Sequence, residues 1–138
     1  MPLAAEYQAM FEQLAAAGPT PSVRDLPISD ARNVYRAARA VNPDLPVHEI
    51  NDTTIPGPEG DIALRIYRPE GSGPFGVLVY FHGGGWVIGD LDTADAVCRQ
   101  LTTLANVVVV SVDYRLAPEH VYPAAVEDSY AALQWVYD

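Results

Sequence analysis

Three consecutive glycines, Gly83 to Gly85, stand between a histidine and a tryptophan in "VYFHGGGWVIGD", Val79 to Asp90, directly behind an apolar run. Glycine is required where a backbone must take positive φ or approach another group closely, because no Cβ stands in the way. A glycine loop at the end of a buried strand can turn its N–H groups outward toward an anion. The flanking sequence supplies that strand. Val77 to Phe81 and Val107 to Val112 are nearly all apolar, as expected of strands covered on both faces of a parallel sheet. Between them one helix is predicted from Asp92 or Thr93, either of which can cap it, with Ala94, Val97, Cys98, Leu101 and Leu104 along its apolar face. The result is a βαβ unit.

Ahead of this unit, "VHEINDTTIPGPEGDIALRIYRP" predicts an antiparallel hairpin around a Pro-Gly-Pro-Glu-Gly turn. Its second strand alternates Ile62, Leu64 and Ile66 against Ala63, Arg65 and Tyr67, so one face is expected to be wet. Two helices lead the chain. The first carries Leu3, Tyr7, Met10 and Leu14 at helical spacing and stops at Gly18-Pro19, and the second opens at Ser29 or Asp30. A last helix is predicted from Pro123, with Val126, Tyr130, Leu133 and Val136-Tyr137 as its apolar stripe.

Composition closes several classes. The formal net charge is −10, all eight cations are arginine and lysine is absent. A nucleic acid or an anionic membrane would therefore be repelled, and a Walker lysine, a Schiff-base lysine and a Ser-x-x-Lys nucleophile are excluded within these residues. A single cysteine, Cys98, allows no internal disulfide. His48, His82 and His120 lie far apart without metal-ligand spacing, so no metal is expected. No apolar run is long enough to span a bilayer, and the start lacks the basic and apolar regions of a signal peptide, so a cytoplasmic location is expected.

Two anions compete for the glycine loop. A dinucleotide pyrophosphate would suit strand, glycine loop, helix and strand followed by an acidic residue, Asp113. The G-x-G-x-x-G spacing from Gly83 and Gly85 then needs glycine where Ile88 stands, and Asp90, Asp92 and Asp95 crowd the helix start where phosphate would sit. The other anion is the oxygen of a tetrahedral acyl-transfer intermediate, which needs two or three aligned N–H donors. His-Gly-Gly-Gly behind a buried strand supplies them.

With "HGGGW" at His82 to Trp86, "DYRLAPE" at Asp113 to Glu119 and "YPAAVEDSYAALQWV" following, the chain resembles the hormone-sensitive-lipase family of α/β-hydrolases, bacterial carboxylesterases and lipases acting on short-acyl esters. The resemblance implies an α/β fold: the first half of an α/β-hydrolase, a mostly parallel sheet with an antiparallel first hairpin, preceded by two cap helices. Residues 1–45 would form the cap and residues 46–138 the N-terminal half of the core. It further implies that the N–H groups of Gly84 and Gly85 are the oxyanion donors, with His82, Gly83 and Trp86 shaping the loop and Gly83 permitting the bend.

Of the five serines, Ser22, Ser29, Ser72, Ser111 and Ser129, none stands in G-x-S-x-G. The family's nucleophile, acid and histidine come later in its order, so no triad residue is assigned within this chain, and the 138 residues alone are expected to be inactive. Asp113, Arg115 and Glu119 are expected to pair with one another and pin the loop beneath the site. Tyr7, Met10, Phe11 and Leu14 are read either as helix packing or as an acyl pocket, and removal of residues 1–41 is expected to change acyl preference while hydrolysis survives. No cofactor is expected, and the expected partners are a small ester and, at the sheet edge, another copy or the C-terminal half. A non-catalytic fragment binding a ligand or partner chain and a nucleotide-binding βαβ module are the alternatives.

Overall fold

The computed structural model describes residues 4–18, 22–39, 41 and 43–138, so Leu3 and Pro19 lie outside the described residues. Strand β1 (Glu49–Gly57) and strand β2 (Gly60–Arg68) pair antiparallel in one register from Glu49 opposite Arg68 to Gly57 opposite Gly60. Pro58 and Glu59 alone make the turn. β2 pairs antiparallel with β4 (Val108–Asp113), which pairs parallel with β3 (Val77–Phe81), giving the order β1-β2-β4-β3. β4 starts one residue later than the apolar run suggests, and the parallel pairing among the described residues is that of β3 with β4.

Helices α3 (Leu91–Ala105) and α4 (Ala124–Tyr137) cover opposite faces of the sheet. On the α4 side, Ile55, Ile62, Leu64, Val110 and Val112 pack with Tyr114 and Ala132. On the α3 side, Tyr67 and Val109 pack with Ala94 and Cys98. Each large side chain so buried contributes about 1.5–3 kcal/mol.

The second face of β2 is not wet. Tyr67 is fully buried beneath α3 and donates its hydroxyl to Asp95 at 3.0 Å. Arg65 on the same face reaches Asp52 and Asp92 at 2.7 and 2.8 Å. Asp95, itself buried, also accepts from Arg99 at 2.6 Å, which satisfies a charge that burial would otherwise penalise. The inner face of α3 is thus Thr93, Ala94, Asp95, Cys98 and Thr102, while Val97 and Leu104 of the expected stripe are exposed.

Asp90, two residues ahead of the expected cap, begins α3 through a capping box. Its carboxylate accepts from Thr93 N–H at 2.8 Å, and the Thr93 hydroxyl accepts from Asp90 N–H at 2.8 Å. Asn106 ends the helix in the left-handed conformation.

The face of α4 differs from the reading as well. Ala124, Asp128 and Ala132 turn inward, whereas Val126, Tyr130, Leu133 and Tyr137 are exposed. Small side chains let the helix lie close to the sheet, and Asp128 is drawn inward by Arg115, with hydrogen bonds of 2.8 to 3.1 Å to its guanidinium and 2.9 Å to its backbone N–H. At the front of the chain, α1 spans Ala5–Ala16 and α2 spans Ile28–Ala37, starting ahead of Ser29 without a side-chain cap. No helix of the described residues is long and apolar enough to cross a membrane.

Burial pushes the Cys98 thiol up to about 11. The native protein is therefore expected to leave a thiol reagent such as dithionitrobenzoate unreacted over hours at about pH 8, with one thiol titrating once denaturant is added. Rapid labelling without denaturant would show that α3 opens.

Candidate active site

β3 ends at Phe81, and the chain then turns sharply before Asp90 begins α3. The turn is made at Gly84, Gly85 and Trp86, with φ of 136°, 62° and 61°, and not at Gly83, whose φ is ordinary and whose added Cβ would meet nothing. This corrects the bend assigned to Gly83. Gly84 is enforced by its surroundings, because a Cβ there would lie 1.9 Å from the carbonyl oxygen of Ile88. That crowding arises from the turn itself, in which Val87 N–H and Ile88 N–H both donate to Gly84 O at 3.2 and 3.1 Å. Among the described residues, the N–H groups of Gly84 and Gly85 have no acceptor.

His82 orders the base of the loop. Its ring is buried and stacks on Tyr114 with centroids 4.3 Å apart and an interplanar angle of 11°. Its Nδ1 lies 3.0 Å from Gly83 O, and the Tyr114 hydroxyl donates to His82 O. Its Nε2 is buried without a partner among the described residues. Gly89, which the motif reading passed over, packs against this ring so closely that a Cβ would stand 2.2 Å from Nδ1. The sequence signal for it is a glycine immediately before the capping Asp90.

The "DYRLAPE" turn holds the loop from the other side, although Asp113, Arg115 and Glu119 do not pair with one another. Ala117 N–H donates to Trp86 O at 2.8 Å. Arg115 goes to Asp128 and Glu59, while Glu119 takes a two-pronged ion pair from Arg32 of α2 at 2.7 and 2.8 Å. Hydrogen bonding from Arg32 pulls the Glu119 carboxyl down to about 2. A second α2 arginine, Arg36, pairs with Asp90.

Asp113 lines an open cavity of about 380 Å³ together with Arg32, Arg36, Asp90, Leu116 and Glu119. Burial raises its pKa above the ordinary 3.8; Asp90 and Asp92 add to the shift while His82 and Arg36 oppose it. A raised folded value means that the folded protein holds the proton more tightly than the unfolded chain. That stabilisation is complete below the unfolded value and lost as pH rises through the folded one. Asp113→Asn is therefore expected to raise the melting temperature by a few degrees at about pH 7 and to leave it unchanged at about pH 3. A lowered melting temperature at neutral pH would contradict this.

Two hollows flank the free N–H groups, the first of them apolar. One, of about 450 Å³, lies between Gly85, Trp86, Ala117, Tyr122 and Val126. The other, of about 760 Å³, is walled by Val23, Leu26, Ile28 and Tyr35 together with Arg24 and Arg39, opposite Gly84 and Gly85. Tyr7, Met10, Phe11 and Leu14 line neither; all four are exposed on α1. The apolar wall beside the loop comes from the next segment, whose short 3₁₀ turn at Val23–Asp25 breaks the helical periodicity by which a pocket face would be recognised.

Residues 78–138 match the family model described as alpha/beta hydrolase fold. Over 109 residues the chain is 50% identical to the carboxylic ester hydrolase LipN of Mycobacterium tuberculosis, an alignment covering 78% of this chain and 29% of LipN. It is 42% identical over 101 residues to an arylesterase of Saccharolobus solfataricus, covering 73% of this chain and 33% of that protein. A hyperthermophilic esterase from Pyrobaculum calidifontis superposes with a TM-score of 0.84 at 43% identity, covering 99% of this chain and 44% of that one. The chain thus spans about a third of the curated relatives it matches. It has the α/β-hydrolase fold, and its sequence is similar to part of these ester hydrolases.

Proposed function

We propose that this chain supplies the oxyanion-binding loop of a serine carboxylesterase acting on short-acyl esters through an acyl-enzyme, with residues 1–45 as cap and residues 46–138 as part of the catalytic core. The observation that carries the reading is the pair of N–H groups on Gly84 and Gly85, free of any acceptor among the described residues and held at positive φ between two hollows, one of them apolar. Donors fixed before the reaction act on the charge that develops on the carbonyl oxygen, and loss of one costs about 3–4 kcal/mol. An ester would place its carbonyl oxygen at these N–H groups and its apolar substituents in the hollows. A serine would attack, a histidine would shuttle the proton, and both would come from a Gly-x-Ser-x-Gly segment and later residues absent from these 138. The assembled hydrolase is this chain together with those residues, on the same polypeptide or on a second one.

The absence of G-x-S-x-G from the chain favours a second reading for the 138 residues by themselves, a module that binds a ligand or partner without hydrolysing it. The nucleotide alternative is opposed by Asp90, whose carboxylate occupies the end of α3 where a pyrophosphate would sit. In the assembled hydrolase, p-nitrophenyl butyrate is expected to give a burst of p-nitrophenolate followed by slower turnover. Absence of hydrolysis, with the melting temperature raised by a nucleotide, would overturn the esterase reading.

A further inference from the structure

Trp86 sits at φ 61°, a conformation that is strained for a bulky residue and persists only where neighbours enforce it. Two groups outside the loop grip the carbonyls on either side of the next peptide. Ala117 N–H donates to Trp86 O at 2.8 Å, and Arg32 Nε donates to Val87 O at 2.9 Å. The same guanidinium donates to Ala117 O at 3.1 Å and takes Glu119 with both terminal nitrogens. One planar cation thereby joins three pieces of chain: α2, the glycine loop and the turn that follows β4. Val87 N–H in turn donates to Gly84 O, so the grip on Val87 is transmitted to the peptide that carries the Gly85 N–H.

We propose that Arg32 is a positioning residue that fixes the glycine loop, and with it the Gly84 and Gly85 donors, through its bonds to the carbonyl oxygens of Val87 and Ala117. The proposal rests on the reading of those N–H groups as oxyanion donors. It assigns a helix read as lid to the support of turnover. Removal of residues 1–41 takes Arg32 away, so that deletion is expected to lower turnover as well as alter chain-length preference.

The arrangement separates two effects that an arginine normally combines. Lysine at position 32 keeps a charge opposite Glu119 but lacks the fork that serves two carbonyls and a carboxylate together. Glutamine at position 119 removes the charge and leaves both carbonyl bonds of Arg32 in place. Amide hydrogen exchange on the 138-residue chain is the first readout. Arg32→Lys is expected to speed exchange at Val87, Ile88 and Ala117 about tenfold or more, with β4 and α3 unchanged, and Glu119→Gln to do far less. In the assembled hydrolase Arg32→Lys is expected to lower kcat for p-nitrophenyl butyrate about ten- to a hundredfold with KM held within about threefold. Unchanged loop exchange in Arg32→Lys, equal effects of the two variants, or loosened amides with kcat intact would each overturn the proposal. If the wild-type assembly hydrolyses no ester, the esterase reading fails, and exchange alone still decides whether Arg32 holds the loop.

Discussion

Gly84→Val in the assembled hydrolase is expected to lower kcat about a hundredfold or more while KM moves little. The valine Cβ would fall 1.9 Å from Ile88 O and 2.7 Å from Ile88 C, both backbone atoms that cannot swing aside as a side chain would. The turn from Gly84 to Ile88 must then open, which displaces the Gly84 and Gly85 N–H groups. On the proposed oxyanion role those donors would act chiefly on charge that develops in the transition state, so the loss is expected in turnover rather than in substrate binding. The main core under α3 and α4 is built from other residues, so the fold should survive with a lowered melting temperature. Gly83→Ala is the internal contrast, since its Cβ meets nothing and its φ is ordinary, and it should lose far less. A Gly84→Val enzyme with raised KM and intact kcat would show that the loop binds substrate without stabilising the transition state.

The second large expected effect is association of the 138-residue protein. In the described sheet β3 lies at the edge, with one row of N–H and C=O groups facing no strand. The strand Val77–Phe81 carries no charge, lysine or proline of the kind that protects natural edges, and Val77 and Phe81 are 55% and 40% exposed. The outer face of α4 adds Val126, Tyr130, Leu133 and Tyr137, all exposed. An apolar edge beside an apolar helix face invites pairing with another chain. Light scattering is expected to show dimers or larger species, and Val77→Lys to weaken that association about tenfold by placing a hydrated charge on the edge. A stable monomer at high concentration would refute the edge argument.

The parts of this fold that repeat a local rule were readable from the residues. The hairpin turn at Pro58-Glu59, the apolar strands β3 and β4, and the α3 and α4 helices follow from turn chemistry and hydrophobic period, with boundaries displaced by a residue or two. What escaped was set by partners distant in sequence. Tyr67 reads as a wet-face residue until α3 is laid over it and Asp95 takes its hydroxyl. The spacing of Val126, Tyr130 and Leu133 reads as a core stripe because large apolar residues dominate the pattern. The helix instead lies on Ala124, Asp128 and Ala132, whose small size and charge pairing decide the close approach. Arg32 and Glu119 stand 87 residues apart, and nothing local joins them.

In the candidate site, the glycine motif was legible as a loop of free donors, and the division of labour within it was not. Gly84 and Gly89 are enforced by what surrounds them, Ile88 O and the His82 ring, and those contacts exist only once the turn is closed. The positive φ of Trp86 is invisible in the sequence because it is imposed from outside the loop, by Ala117 and by the groups around Val87.

Whether these 138 residues furnish one part of an esterase site is tested most directly by p-nitrophenyl butyrate hydrolysis, first with this chain alone and then after adding a second chain that carries a Gly-x-Ser-x-Gly segment with the triad acid and histidine. The predicted result is no hydrolysis above the buffer rate from the chain alone, and hydrolysis on mixing that Gly84→Val suppresses. Hydrolysis by the 138 residues alone, or hydrolysis on mixing that is indifferent to Gly84→Val, would contradict the account.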